Sequence, residues 1–588
     1  MSGYAHAPDK QSELDILRHS AAHLLAAAVI ELYPDTKYAI GPPVENGFYY
    51  DFEFPCKISD HDLEAIEQRM REKVAQALPY VREEVSREDA IKLFSSLGQD
   101  YKVEILNEIE DPIVSIYRTG EFVDLCRGPH VSDTSQIKAF KLLKIAGAYW
   151  RGISSNKMLQ RIYGTAWFTE QELQEYLDLL ARAAERDHRK IGRELGLYLI
   201  DEHVGQGLPI WLPKGAMIRN ILQDYVKKLE EDLGYQYVYT PPVADEELYR
   251  TSGHLDLFSE SMFPAISFED GGSLRLRPMN CPHHIAIYAS ELRSYRDLPL
   301  KIAEFGTVFR YEKSGELSGL MRARTFTQND AHIFCTIDQL EEVIRETIVL
   351  TLRVFEDLGI DDFKLRLSLH DDKKDKWFPD ELLWQKAEDS LRSALSSSPF
   401  GYFEAQGEAA FYGPKIDFQV RDIMAREYTL STIQVDFYLP QRFSLSYVGP
   451  DGHKRTPVMV HRAPLGSLER MLAFLIEMYS GAFPLWLAPI QVAVLPISDL
   501  IIDYASDIAR RLKQNGIRVT VVDKKGTIQA KVRQAQLEKI PYMLVVGRKE
   551  VQENVVSVRH RSRGEIGNMR LEAFLTMLLD EIDKKSRL

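Results

Sequence analysis

Period-2 patterns in the middle of the chain limit its fold more than any other feature. FYGPKIDFQV (411–420), STIQVDFYL (431–439) and RFSLSYVG (442–449) alternate apolar and polar residues, and turn residues separate them. Alternate side chains of a strand point to opposite faces, so runs of this kind predict an antiparallel sheet with one face on a core. The flanking regions have other textures. Residues 12–170 open with the helix-like LDILRHSAAHLLAAAVIELY. FYYDFEF, the charged helix DLEAIEQRMREKVAQ, VSIYRTGEFVDL and LQRIYGTAWF follow, the pattern of an α+β domain. TEQELQEYLDLLARAAERDHRKIG (169–192) reads as a linker helix. In the last hundred residues IQVAVLPI, RVTVVD and YMLVVG read as buried strands between helices over 499–514 and 527–539, a compact α/β module with a largely parallel sheet. The expected architecture is therefore α+β and multidomain, with pieces at 1–168, 169–195 (the linker), 196–486 and 487–588.

Composition suits this division. The 588 residues are 45% hydrophobic and 27% charged, which excludes wholesale disorder and supports about four domains at the usual domain size. The four cysteines, Cys56, Cys126, Cys281 and Cys335, are too few for a disulfide scaffold. The opening MSGYAHAPDKQSELD is neither an apolar leader nor an Arg-rich transit peptide. Glu477, Pro484, Pro489 and Pro496 interrupt the most apolar stretch, 471–497, so no membrane span is expected and the expected location is cytoplasmic. Residues 487–588 hold 18 Lys/Arg against 12 Asp/Glu in a chain of net charge −14. That local surplus suits a polyanionic partner, or is ordinary surface variation.

Two constellations carry chemistry. His19 and His23 lie one helical turn apart, and Cys126 and His130 repeat the spacing in LCRGPH, with Asp124 beside them. Such a group is able to hold a metal, to orient a water, or simply to pack and hydrogen-bond. The second is an arginine set. Arg310 in EFGTVFRYE and Arg322 flank a polar hairpin loop, and HRAPLGSLERMLAFLIE puts Arg470 on a helix after a strand and a glycine turn. A strand-held guanidinium suits phosphate or carboxylate, because its fork donates two parallel hydrogen bonds.

These strings resemble a known family. FRYE with TFTQNDAHIF is similar to motif 2 of the class II aminoacyl-tRNA synthetases, GSLERMLAFLIE to motif 3, and YTPPV, with Pro241 and Pro242, to motif 1 at the dimer interface. RPMNCPHH, DAHIFC, FYGPKIDF and HRAPLGSLER narrow the resemblance to the threonyl-tRNA synthetase family, from about residue 12 to the end. The resemblance implies ATP-dependent activation of L-threonine to an adenylate, transfer to tRNA(Thr), and hydrolytic editing of seryl-tRNA(Thr) by a homodimer.

Residue roles follow from the same resemblance. Cys281, His332 and His461 match the zinc ligands; Met279, Gln328, Asp330, Tyr412, Gln434 and Ser467 match the threonine site. Arg310 holds the α-phosphate and carboxylate, Glu312 the adenine edge and Arg322 the γ-phosphate; Phe326 and Arg470 sandwich the adenine, and Mg2+ accompanies ATP. His19, His23, Lys102, Asp124, Cys126 and His130 match the editing site. Arg559, Arg561 and Gln552 in KEVQENVVSVRHRSRG are the anticodon candidates. Three departures are visible: the ubiquitin-like domain that precedes the editing domain in many members is expected to be absent, Thr325 stands where glycine is usual, and Asn329 where aspartate is common. Rival readings are an RNA-binding regulator without charging activity, a hydrolase confined to residues 1–170, and a class II enzyme for serine or proline.

Overall fold

A computed structural model describes residues 10–586 apart from 154, 270, 372–376, 378 and 379; the first nine residues of the opening segment read above lie outside them. The chain divides into two compact units, residues up to Ala181 and residues from Arg182 onward.

The first unit is built on α1 (Lys10–Leu32). Leu17, Leu24 and Ala28 are buried on one side and Arg18, Ala22, His23, Ala26 and Ala27 on the others, so the helix is enclosed around most of its circumference. It lies against α2 (Leu63–Ala75) and a sheet containing β1 (Gly47–Glu53), β5 (Ala139–Tyr149) and β6 (Met158–Trp167), with β6 between the other two and antiparallel to both. A second antiparallel sheet joins β2 (Val81–Ser86), β3 (Ile113–Thr119) and β4 (Phe122–Leu125), and α3 (Asp100–Glu108) precedes β3.

The expected linker is two helices, not one. α4 (Glu170–Arg186) stops where Asp187 turns its carboxylate to the Arg189 N–H at 2.7 Å, and α5 (His188–Glu194) starts afresh from that cap.

In the second unit, α6 (Pro213–Asp232) begins on proline, whose missing N–H is harmless in a first turn, and buries Ile218, Leu222 and Val226. The central sheet has eight strands. In chain order they are β7 (Gln236–Tyr237), β8 (Leu300–Phe309), β9 (Thr325–Cys335), β10 (Phe363–Leu369), β11 (Tyr402–Gln406), β12 (Lys415–Arg421), β13 (Glu427–Asp436) and β14 (Val458–Ala463). Their order across the sheet is β7-β8-β9-β14-β13-β12-β10-β11. Every neighbouring pair is antiparallel except the two at the edges. α7 (Cys281–Ala289), α8 (Leu340–Leu358) and α9 (Leu468–Tyr479) complete this core, in which Phe355, Phe418, Ile433, Val460 and Leu472 meet. RFSLSYVG is not the strand its alternation predicts. A short helix over 438–442, at whose start Asp436 accepts the Leu439 N–H at 2.9 Å, ends on the first residue of that run, Ser444 takes a left-handed φ of 51°, and only Tyr447–Val448 pairs, with Arg293–Ser294 and Lys454–Arg455.

The C-terminal module holds β15 (Val492–Pro496), α10 (Ile502–Gln514), β16 (Val519–Val521), α11 (Ile528–Leu537), β17 (Tyr542–Val546), α12 (Arg548–Glu553), β18 (Val556–His560), β19 (Gly564–Met569) and α13 (Leu571–Asp583). It is α/β, but its sheet is mixed: β15 pairs parallel with β16 and β17, whereas β17–β18 and β18–β19 are antiparallel. The three residues between β18 and β19 leave room only for a hairpin, since a parallel crossover needs a dozen or more.

Glu230 on α6 and Arg462 on β14 form a fully buried ion pair at 2.5 Å. Asn329 donates to the same carboxylate at 3.0 Å and the Tyr237 hydroxyl also reaches it, while the Arg462 guanidinium lies 4.1 Å from the Tyr235 ring centroid. Removing one member of such a pair leaves a buried charge uncompensated. Glu230→Ala should therefore destabilise the core by about 3–5 kcal/mol, and pairing it with Arg462→Met should recover much of the loss. Urea unfolding followed by tryptophan fluorescence tests this; equal midpoints for parent and single variant would refute it.

Candidate functional site

Strand register assembles the first site. His332 on β9 and His461 on β14 are direct cross-strand partners, and His461 faces Gln434 on β13. Cys281 opens α7 beside them. The ligand-type atoms of Cys281, His332 and His461 lie within 4.8 Å of one another and all three residues are buried. Cys281 Sγ is 3.4 Å and His332 Nε2 3.0 Å from His461 Nδ1.

Hydrogen bonds dictate which nitrogens carry protons. His461 Nε2 meets Asp436 at 2.8 Å, so a proton sits there; burial disfavours a charged ring, but Cys281 and Asp436 outweigh it and raise this imidazole well above the usual histidine range, so Nδ1 offers its lone pair once a cation displaces the proton. Glu304 lies 3.2 Å from His284 Nε2. Burial alone would raise the Glu304 carboxyl, but His284, Thr240 and Arg277 outweigh it and bring the pKa down to about 2, so an anion accepts the His284 proton. His284 Nδ1 then accepts from His332 Nδ1 at 2.8 Å, which leaves His332 Nε2 unprotonated. Burial also holds His332 neutral. Two imidazole lone pairs and one thiol thus converge, a donor set made favourable by a shared cation.

A cleft of about 250 Å³ adjoins this centre. Arg310, Glu312, Arg322, Phe326 and Arg470 line it together with Gln328 and Ser467, two residues expected near the amino acid. Arg310 stands one residue beyond β8 rather than on the strand, with its guanidinium 5.2 Å from the Phe326 ring centroid. Among the described residues its buried Nε has no hydrogen-bond partner. Arg470 is steadied by the carbonyls of Met321 (3.3 Å) and Thr429 (3.4 Å). Arg322 pairs with Glu312 at 2.8 Å and Glu316 at 2.9 Å.

The remaining expected residues gather around the metal-type trio. Met279, Tyr412, Cys281 and His461 line one small apolar pocket; the Tyr412 hydroxyl donates to Gln434 at 2.5 Å, and Asp330 accepts from Asn280 at 2.9 Å. The sequence reading missed His254, which lines that pocket, and Lys415 and Asp417, which line the cleft, although the last two stand inside the FYGPKIDF string.

The first unit holds a separate constellation. His19 Nε2 and His130 Nε2 lie 3.4 Å and 3.3 Å from Cys126 Sγ, and His23 completes a group spanning no more than 4.8 Å. Tyr80 stacks on His130 and Ser20 meets its Nδ1 at 3.0 Å. His23 Nε2 is 3.4 Å from Asp124, which also takes Lys102 and the Tyr50 hydroxyl at 2.5 Å each. Tyr50 was another residue sequence reasoning missed. Burial pushes all three imidazoles below the usual histidine range and raises the Cys126 thiol to about 11. Neutral imidazoles accept hydrogen bonds from water and can orient it, while their lowered basicity makes them weak proton acceptors; a protonated thiol is a poor nucleophile.

In the C-terminal module the anticodon candidates differ in availability. Arg561 donates to the carbonyls of Lys539 (2.6 Å), Ala482 (2.7 Å) and Phe483 (2.6 Å), so its guanidinium is already occupied within the protein. Gln552 is exposed on α12, and half-buried Arg559 keeps an unpartnered Nε.

Residues 266–479 match the class II tRNA synthetase core domain of the G, H, P, S and T enzymes, 491–581 an anticodon-binding domain, and 114–163 the second additional domain of threonyl- and alanyl-tRNA synthetases. Fold and site together define a class II aminoacyl-tRNA synthetase. The threonine–tRNA ligase of Geobacillus kaustophilus is 52% identical over 99% of this chain and 89% of its own length; that of Streptococcus mutans is 49% identical over 99% and 90%. A solved threonyl-tRNA synthetase RNA-binding domain from Cryptosporidium parvum, 37% identical, superposes with a TM-score of 0.64 over 67% of this chain and 98% of that one. The chain belongs to the threonine–tRNA ligase family, with the editing domain of that family at its N-terminal side.

Exposed Cys56 and part-buried Cys126 should differ in reactivity. At pH 7.5 iodoacetamide should alkylate Cys56 within minutes and leave Cys126 largely unmodified, as peptide mass spectrometry would report. Equal labelling would contradict a thiol held protonated by burial.

Proposed function

We propose that Cys281, His332 and His461 hold one zinc ion, and that the cleft from Arg310 to Arg470 binds ATP beside it. The convergent lone pairs of His332 and His461 carry this reading. One sulfur and two imidazole nitrogens, buried and tautomerically set, suit zinc with an open position. When bound, the zinc supplies a Lewis-acidic position completed by the amino and hydroxyl groups of threonine. Magnesium enters with ATP, held mainly by its phosphates.

The chain's own residues do the rest by positioning. Arg310 draws the threonine carboxylate and the α-phosphate together and neutralises charge as the carboxylate attacks phosphorus and pyrophosphate leaves. Phe326 and Arg470 flank the adenine, Glu312 takes its edge and Arg322 the γ-phosphate. Met279, Gln328, Asp330, Tyr412, Gln434 and Ser467 enclose the amino acid. A ribose hydroxyl of the tRNA's terminal adenosine then attacks the adenylate carbonyl, forming the threonyl ester as the acyl–phosphate bond breaks and AMP leaves. Gln552 and Arg559 are the proposed anticodon contacts, and the YTPPV segment belongs to the interface of a cytoplasmic homodimer. The working boundaries are 1–168 for editing, 169–195 for the linker, 196–486 for catalysis and 487–588 for the anticodon.

Selectivity explains why two sites are needed. A centre that demands the substrate hydroxyl rejects valine by about 10⁴-fold or more, because the demand goes unmet in its absence. Serine has the hydroxyl and lacks one methyl, a difference of about 1–3 kcal/mol, so some is activated. His19, His23 and His130, with Cys126, Lys102 and Asp124, are proposed to position the water that hydrolyses the seryl ester.

ATP–pyrophosphate exchange across a panel of amino acids tests the synthetic reading: threonine should be activated, serine weakly, valine barely. His332→Ala should lose the zinc by elemental analysis and abolish threonine activation in a folded chain; full metal occupancy in that variant would overturn the ligand assignment. His19→Ala combined with His23→Ala should threonylate at near-parent rates and accumulate seryl-tRNA. Undiminished deacylation of seryl-tRNA by the well-folded double variant would rule out these histidines.

A further inference from the structure

His188 belongs to neither site, yet it touches the machinery of one. It sits at the start of α5 and is buried. Its Nδ1 lies 2.7 Å from Glu477 Oε1, and the same oxygen accepts the His188 backbone N–H at 3.3 Å. Its Nε2 accepts the backbone N–H of Leu320 at 3.2 Å. A nitrogen that accepts carries no proton, so His188 is the Nδ1–H tautomer and donates to Glu477.

Asp187, His188 and Glu477 have the composition of a metal site. Both ring nitrogens of His188 are already engaged, however, and the Asp187 carboxylate is taken by the Arg189 guanidinium and N–H. The cluster is better explained as a tie between three elements. Leu320 lies in the tip of the hairpin loop between β8 and β9, where Ser318 and Arg322 bridge. Leu320, Met321, Arg322 and Ala323 all line the nucleotide cleft. Glu477 is on α9, two turns beyond Arg470, whose side chain reaches the Met321 carbonyl of the same tip. Gly319 takes a positive φ of 52° with no room for a side chain, since a Cβ would collide with the His188 ring.

We infer that His188 is a positioning residue for ATP: it fixes the tip of the hairpin loop against the helix that carries Arg470, so that both walls of the cleft are set before the nucleotide arrives. The loop would otherwise lose conformational freedom on binding, and pre-ordering removes that loss from the affinity. The inference rests on the assignment of this cleft to ATP.

Two isosteres separate the two bonds. In His188→Gln the amide oxygen reaches the place of Nε2 and still accepts from Leu320; in His188→Asn the amide reaches the place of Nδ1, keeps Glu477 and loses the loop. A lost hydrogen bond to a backbone N–H is about 1 kcal/mol, or about fivefold in KM for ATP. In threonine-dependent pyrophosphate exchange, His188→Asn should raise KM for ATP about fivefold without raising KM for threonine, and His188→Gln should stay near the parent. Gly319→Ala, which pushes the tip off the ring, should act like asparagine and needs no change in the buried cluster. A parent-like KM for ATP in folded His188→Asn or Gly319→Ala overturns the inference. So does an equal effect of glutamine and asparagine, or a fall in melting temperature with KM unmoved, which would mark a purely structural histidine. Arg470→Ala in the same assay tests the cleft itself: if ATP binding survives that change, the nucleotide assignment fails first.

Discussion

The Glu230–Arg462 pair fixes the strand on which the synthetic site depends. β14 carries His461 toward the metal-type centre and, one residue on, Arg462 toward α6, because neighbouring residues of a strand face opposite ways. The buried carboxylate on α6 therefore sets the height and rotation of His461 from behind the sheet. Asn329 and Tyr237 join the same anion, so β9 and β7 are registered to that helix as well. A pair of this sort adds little net stability over apolar packing, but it does penalise every arrangement in which its members part.

The same alternation divides labour across the sheet. On β9 Gln328, Asp330 and His332 share one face, two residues apart, and Asn329 on the other face reaches Glu230. Gln434 continues the functional face on β13. Gln328, Asp330, His332, Gln434 and His461 thus stand on a sheet whose other side is a hydrophobic core, whereas Met279, Tyr412, Ser467, Arg310 and Arg322 come from the segments between elements.

Much of this was legible before any coordinates. The period-2 runs at 411–420 and 431–439 became β12 and β13, and the polar stretch after Arg310 became the loop between β8 and β9. RFSLSYVG misled because alternation is blind to the left-handed φ of 51° at Ser444 and to the helix over 438–442 that runs into its first residue. The break at Asp187 was hidden in a charged run that reads as uninterrupted helix. Cys281, His332 and His461 are 51 and 129 residues apart, and only strand register joins them; no spacing rule finds such a set, whereas family strings do. His284, Tyr50 and His188 escaped notice for a related reason. Each matters through a partner distant in sequence, and none stands in a pattern of its own.

Arg322 without nucleotide is not a waiting cation, since Glu312 and Glu316 already neutralise it. Any anion that reaches Arg322 must therefore displace carboxylates that already hold the guanidinium. The guanidinium thus selects for a ligand whose oxygens match its fork better than these carboxylates do, and negative charge alone is not enough.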